Sequence, residues 1–175
     1  MSKVILYIAE SLDGYIALPD GGISWLSEFE SGGEDYGYSK FYSGIGAVVM
    51  GSKTYEQALG FEKWPYPGMT TYVVTHRKFG KKPDSKVLFY KGDLNKLVKE
   101  AKSKTRKDVW LVGGANLIAG FMNEKLIDEY VISVIPVLLK EGIALFNGLK
   151  SKKRLVLIGV RRFPNGVVQL RYRHS

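Results

Sequence analysis

Short apolar stretches that alternate with helical segments are the feature that most constrains how this chain can fold. Residues 3–9, 47–50 and 109–112 are mainly apolar and are four to seven residues long. Because such stretches have no polar face, they predict strands that are buried on both sides, as in a parallel sheet. The helical segments between them predict the layered α/β class, with helices covering both faces of the sheet.

One helix between the predicted strands has a clear amphipathic pattern. Asp93 precedes it, and an aspartate at a helix start accepts hydrogen bonds from free backbone N–H groups. The apolar positions that follow have the spacing of one helical face: Leu94, Leu97, Val98 and Ala101. Weaker helical patterns cover 36–42, 54–59 and the residues from 115 to about 123.

The chain ends in a predicted β-hairpin. Residues 155–160 and 167–172 flank Pro164-Asn165-Gly166, and Asn-Gly is a strong signal for a tight turn. Further strands are predicted at 70–75, 86–90 and 129–135. We therefore expect one domain, 1–175, with a mainly parallel central sheet flanked by helices and a C-terminal antiparallel hairpin.

The residue types present exclude several kinds of site. The chain has no cysteine, which rules out disulfides, thiolate catalysis and cysteine-bound zinc or iron–sulfur clusters. The two histidines, His76 and His174, lie far apart in the sequence, and there is no HExxH motif. We therefore expect no protein-bound metal.

A formal net charge of +9 is open to three interpretations. It could attract polyanions such as nucleic acid, form a solvated surface, or provide a site for a phosphate-rich cofactor. The basic residues alternate with apolar ones and form no long tail, so we expect no nucleic-acid partner. A basic nucleic-acid-binding module is retained as an alternative.

No segment predicts a membrane span or a signal peptide. Every apolar run is shorter than the roughly 18 residues that cross a bilayer. The apolar stretch that begins at Val4 is too short for a signal peptide and suits a first buried strand. We expect a cytoplasmic protein without a membrane partner.

Three predicted strand ends carry groups that suit phosphate. One strand runs into Gly113-Gly114 and a helix, a second into Gly51 followed by Lys53 and Thr54, and a third into residues 75–77. Helix starts offer free N–H donors to anions. Taken alone, the first two motifs are more typical of a tight turn or a helix cap than of a ligand site. Together the three motifs favour a ligand at the carboxyl edge of the sheet.

These motifs resemble a known family. Residues 51–55 resemble the glycine–basic–x–Thr–aromatic segment of dihydrofolate reductases, and Gly113-Gly114 resembles their paired glycines, which are joined by a cis peptide. The closer resemblance is to the reductase domain of bacterial riboflavin biosynthesis and its stand-alone relatives. The shared segments are 11–17, Trp25-Leu26, 126–129, 136–139 and 142–146. The resemblance runs from Val4 to Tyr172 and implies a dihydrofolate reductase-like fold.

The resemblance also implies an NADPH-dependent reductase of a small pteridine-like or pyrimidine-like heterocycle, and a homodimer. Ala9 and the loop containing Ile16 would border the nicotinamide. The remaining implied cofactor contacts are Gly51, Lys53 and Thr54 at the adenosine end, Thr75, His76 and Arg77 near the ribose 2′-phosphate, and Gly113, Gly114, Ala115, Asn116 and Leu117 along the pyrophosphate and nicotinamide. An NADPH-binding protein of the same fold with little catalysis is the alternative.

Asp35 is the candidate catalytic residue. It precedes a predicted helix and lies sixteen residues before Gly51, the spacing at which dihydrofolate reductases carry their substrate-binding acid. A partly buried carboxylate could hold a protonated ring and assist proton delivery. The alternative is that Asp35 or Glu34 only caps the helix.

The substrate is less constrained than the cofactor. Tyr55-Glu56-Gln57-Ala58 stands where riboflavin-pathway reductases have Asp-Pro and an arginine that hold a phosphorylated ribosyl substrate. The arginine clamp with which dihydrofolate reductases bind the glutamate tail of folate is not recognisable either. The heterocycle is therefore predicted only by class.

Overall fold

The described residues form ten strands and five α-helices. The computed structural model describes residues 2–30, 32–80 and 82–175. The strands are β1 (Val4–Ser11), β2 (Tyr15–Ala17), β3 (Ile45–Gly51), β4 (Thr70–Val74), β5 (Val87–Tyr90), β6 (Asp108–Gly113), β7 (Glu129–Ile135), β8 (Ile143–Ala144), β9 (Leu155–Arg162) and β10 (Val168–His174). The helices are α1 (Ser27–Glu30), α2 (Tyr38–Ser43), α3 (Ser52–Leu59), α4 (Leu94–Ser103) and α5 (Ala115–Asn123).

Eight of the strands form one sheet in the order β5-β4-β3-β6-β1-β7-β10-β9. The pairs from β5 to β7 are parallel, whereas β10 pairs antiparallel with both β7 and β9. The predicted parallel sheet with a C-terminal hairpin is therefore confirmed. As a result, the carboxyl ends of β1, β3, β4 and β6 lie along one edge of the sheet.

Helices cover both faces of this sheet, as the apolar strands require. On one face, Leu6 and Leu111 pack with Leu97 of α4 and with Ile118 and Phe121 of α5. On the other face, a second core contains Val48, Met50 and Trp110 together with Tyr55 of α3 and Tyr66. None of the described helices is long and apolar enough to cross a bilayer.

Four short elements were not predicted, and one helix begins later than expected. The unpredicted elements are α1 with the 3-10 turn that precedes it at Ser24–Leu26, and the two-stranded sheet of β2 and β8. The predicted helix at 36–42 begins only at Tyr38. Tyr36 and Gly37 have φ angles of 52° and 79°, and residues in this left-handed region cannot belong to a right-handed helix.

We expect loss of the Asp93 cap to destabilise the protein. The Asp93 carboxylate accepts a hydrogen bond from the Lys96 backbone N–H at 2.9 Å, as predicted for an N-cap. Asp93→Ala should lower the free energy of unfolding by about 1 kcal/mol, the usual cost of such a cap. Urea denaturation would measure it, with Lys99→Ala on the exposed face of α4 as the control. Equal stability of both variants would contradict the capping role.

Candidate functional site

A cleft of about 1070 Å³ lies at the carboxyl edge of the sheet. This volume is at the upper end of the range for ligand pockets. Its walls come from the end of β1, the loop between β2 and α1, the turns into α3 and α5, and Val74 and Ile143. The site thus forms where ligands bind in parallel α/β sheets, because several strand ends and helix starts meet there.

Two helix starts face into the cleft without a capping side chain. Gly51 precedes α3 and Gly114 precedes α5, and neither N-cap has a side-chain hydrogen bond within the described chain. The first N–H groups of both helices are therefore available to a ligand. Since a helix N-terminus also carries a partial positive charge, the arrangement suits an anion such as a phosphate.

The glycines at these two turns lie close together. A Cβ added to Gly114 would lie 3.5 Å from Thr54 Oγ1, and one added to Gly51 would lie 3.8 Å from the Gly113 carbonyl oxygen. Gly113 and Gly114 are joined by a cis peptide, as the resemblance implies. Gly113 has a φ of 136°, which side chains rarely permit. A side chain at Gly114 would occupy the space between the two turns.

Ten of the thirteen residues that the resemblance assigns to a cofactor line this cleft. They are Ala9, Ile16, Gly51, Lys53, Thr54, Gly113, Gly114, Ala115, Asn116 and Leu117. The other three, Thr75, His76 and Arg77, follow β4 and are not part of its lining. Apolar side chains between the polar groups, including Ile8, Val74 and Val112, offer a flat aromatic ring a surface to pack against.

Arg77 reaches the rim of the cleft through an ion pair that sequence reasoning missed. Its guanidinium donates to the two carboxylate oxygens of Glu56 at 2.8 Å and 2.6 Å, and Glu56 lines the cleft. These hydrogen bonds lower the pKa of Glu56, with a further contribution from the charge of Lys53, and they raise the pKa of Arg77. Both groups are therefore charged at neutral pH.

Asp35 lies outside the cleft lining. Its exposed carboxylate accepts hydrogen bonds from the backbone N–H groups of Gly37 at 2.7 Å and Ser39 at 3.2 Å. These bonds, together with the positive charge of Arg161, lower the pKa of Asp35. The observed geometry is that of a cap at the start of α2, so a catalytic role for Asp35 stays a prediction.

The loop between β2 and α1 supplies cleft residues that carried no chemical signal in the sequence. Its residues Pro19 to Ile23 and Leu26 form part of the wall. Gln57 Nε2 donates to the Gly21 carbonyl oxygen at 3.3 Å, so α3 contacts this loop directly. Asp20 also lines the cleft, and its Oδ1 accepts the Gly22 N–H at 2.7 Å.

A metal site is not evident in the described parts of the chain. Within residues 2–30, 32–80 and 82–175, no group of three or more histidine, aspartate or glutamate residues is arranged to hold an ion. The hydrogen-bond donors that do converge on the cleft are backbone N–H groups, hydroxyls, side-chain amides and the ammonium group of Lys53.

Comparisons with known proteins agree with this geometry. Protein YwjB of Bacillus subtilis (strain 168) is 42% identical over 171 residues, which cover 97% of each chain. Protein YyaP of the same organism is 31% identical over 180 residues, covering 97% of this chain and 94% of YyaP. A crystal structure from Shewanella sp. PV-4, described provisionally as a riboflavin biosynthesis protein, has a TM-score of 0.89 at 29% identity and covers 99% of both chains.

A more distant structure shares the fold. A pyrimidine reductase-like protein from Corynebacterium diphtheriae superposes with a TM-score of 0.68 at 14% identity, covering 99% of this chain and 92% of its own. The sequence model of the RibD C-terminal domain matches residues 2–169. The family resemblance inferred from the sequence is thereby confirmed, and the chain belongs to the RibD C-terminal domain family.

Proposed function

We propose that this protein is an NADPH-dependent reductase that transfers a hydride to a small pteridine-like or pyrimidine-like heterocycle. The observation that carries the proposal is the pair of uncapped helix starts facing one large cleft. Membership of a reductase family supports the reaction type. The heterocycle class draws on relatives named for riboflavin biosynthesis and pyrimidine reduction.

The residues of the cleft fit the parts of NADPH. The N–H groups at the start of α5, beginning with Ala115 and Asn116, would hold the pyrophosphate, since no side chain caps them. Lys53 and Thr54 add a cation and a hydroxyl at the start of α3. Ala9 and Ile16 would border the nicotinamide. The cofactor would supply the hydride, while the protein orients it and excludes water.

We expect a methyl group at Gly114 to abolish tight binding of NADPH. Gly114 has a φ of −84°, so alanine is compatible with the backbone, but its Cβ would project toward Thr54 where the two helix starts face each other. Isothermal titration calorimetry of Gly114→Ala should show at least a tenfold weaker Kd, a loss of about 1.4 kcal/mol.

The matched control is Gly80→Ala. Among the residues that the structure describes, apart from its chain neighbours, none has an atom within 4 Å of an added Cβ at Gly80, and this glycine is not part of the cleft lining. The control should bind NADPH as the wild type does. A folded Gly114→Ala protein with unchanged affinity would show that NADPH, if bound at all, does not use this turn.

Asp35→Asn tests the proposed proton source. If Asp35 supplies or holds the proton, the variant should bind NADPH normally but lose turnover by roughly 10²–10⁴-fold, and its pH–rate profile should lose one limb. Turnover needs a substrate, so a panel of pteridines and pyrimidines is screened first. NADPH binding by the wild type without turnover on any of them would favour the binding protein with little catalysis.

The capping role of Asp35 gives a different result in the same variant. Hydrogen bonds to the charged form lower the pKa of Asp35, so its contribution to stability is present above the ordinary carboxyl pKa and disappears as the pH falls through its lowered value. The melting temperature of Asp35→Asn should then be lower than that of the wild type at pH 7, and the difference should shrink under acidic conditions. If Asp35→Asn keeps full turnover and shows this pH-dependent loss of stability, Asp35 acts only as a helix cap.

We further propose that the protein forms a homodimer through β9. This strand is the last in the sheet order, so one of its edges has no partner strand within the described residues. Four of its apolar side chains are 40% to 55% exposed: Val156, Leu157, Ile158 and Val160. An exposed apolar edge strand favours pairing with another chain, and a second copy would cover it symmetrically.

We expect Ile158→Lys to disrupt this dimer. A charge in the centre of the apolar edge would be buried without a partner in the interface, which is costly. Light scattering after size exclusion should give a dimer for the wild type and a monomer for the variant. Leu138→Lys is the control, since Leu138 is 70% exposed and lies outside β9. A monomeric wild type would contradict the proposal.

A further inference from the structure

We propose that Glu56 is a specificity-determining residue that competes with the 2′-phosphate of the cofactor for Arg77. It would thereby weaken the preference of this site for a phosphorylated over an unphosphorylated adenosine ribose. The inference rests on the proposed function, because it concerns the cofactor cleft. It goes further in naming a residue that opposes the phosphate rather than binding it.

The Glu56 carboxylate contacts the guanidinium that the resemblance assigns to the 2′-phosphate. Arginine recognises phosphates and carboxylates with the same forked pair of N–H groups. In this structure Nη1 and Nη2 of Arg77 already donate to the two carboxylate oxygens of Glu56, at 2.8 Å and 2.6 Å. Glu56 belongs to the cleft wall, whereas Arg77 does not. A phosphate that approaches Arg77 through the cleft therefore meets the carboxylate first.

The ion pair is weak enough to be exchanged. The side chains of Arg77 and Glu56 are 57% and 42% exposed, so water and salt screen their attraction. A bound phosphate could therefore displace the carboxylate from the guanidinium. Because Glu56 belongs to α3, the displaced carboxylate remains beside the bound phosphate and repels it. This repulsion reduces the affinity that the 2′-phosphate adds.

Local charge also distinguishes the two kinds of ribose. Lys53 and Arg77 carry one positive charge each, and Glu56 removes one of them, which leaves a local sum of +1 instead of +2. A 2′-phosphate loses attraction as a result. The affinity for an unphosphorylated ribose increases instead, because its 2′-hydroxyl can donate a hydrogen bond to the Glu56 carboxylate. Acidic residues at ribose sites commonly accept such a bond.

The experiment compares two ligands that differ only in the 2′-phosphate. Calorimetry measures the Kd of adenosine 2′,5′-bisphosphate and of adenosine 5′-monophosphate at fixed ionic strength, and their ratio gives the phosphate preference. Glu56→Gln should increase this preference about tenfold, the change expected when one charge-assisted hydrogen bond is freed for the phosphate. Tighter binding of the bisphosphate and weaker binding of the monophosphate should both contribute.

Two further variants separate this mechanism from a general effect of charge. Glu62→Gln makes the same change of charge at an exposed position outside the cleft lining, and it should leave the ratio within twofold of wild type. In an Arg77→Gln background, Glu56→Gln should have a clearly smaller effect on the ratio, because the carboxylate no longer competes for a guanidinium and only its charge and its contact with the ribose hydroxyl remain. An equal response to Glu62→Gln, or an undiminished response without Arg77, would overturn the proposal.

The outcomes also distinguish the inference from the proposed function. If neither nucleotide nor NADPH binds the wild-type protein, the proposed cofactor is wrong and the inference fails with it. If both nucleotides bind but Glu56→Gln leaves their ratio unchanged, the proposed function stands and only the role of Glu56 is refuted. In that case Glu56 and Arg77 form a surface ion pair, which thermal unfolding would reveal as a change in stability alone.

Discussion

The parallel pairing of β3 with β6 is the constraint on which the candidate site depends. Its register shifts after Val49, so that Met50 lies opposite Gly113 and the two strands end side by side. Because each strand continues into a helix, the starts of α3 and α5 face the same cleft. The glycines at both turns keep the space between them free of side chains. A different register would separate the two helix starts, and their free N–H groups would no longer face one cleft.

The electrostatics of the cleft come from the backbone as much as from charged side chains. The net charge of +9 is spread along the chain, and within the described structure Lys53 is the one lysine or arginine that lines the cleft. The free N–H groups at two helix ends supply the rest of the attraction for an anion. Carboxylates of Asp20 and Glu56 on the same wall moderate it. Such a balance suits a ligand that carries both phosphates and apolar rings.

A buried polar network explains why spacing alone could not position Asp35. The carbonyl oxygen of Tyr36 accepts hydrogen bonds from Tyr7 Oη and from Gln169 Nε2, each at 3.3 Å. Gln169 also donates to Ser133 Oγ at 3.1 Å. Because buried polar groups need partners, these contacts hold Tyr36 in its left-handed conformation. The chain then turns so that the Asp35 carboxylate meets the start of α2. The partners of the Tyr36 carbonyl lie 29 and 133 residues away, beyond the reach of a local pattern.

The sequence by itself determined the order and type of the main elements, and hence the edge of the sheet at which a ligand would bind. Apolar runs and the Asp93 cap were sufficient to predict these elements, because both signals depend on residues that are close together in the sequence. The glycines at 51 and 113–114 and the groups after them were likewise found from local motifs. Tertiary structure alone decided that the loop at 19–23 and Glu56 join the cleft wall. Glu56 and Arg77 meet only because β3 and β4 are neighbours, which brings residues 21 positions apart into contact. Pairing between strands is a non-local choice, and no local pattern encodes it.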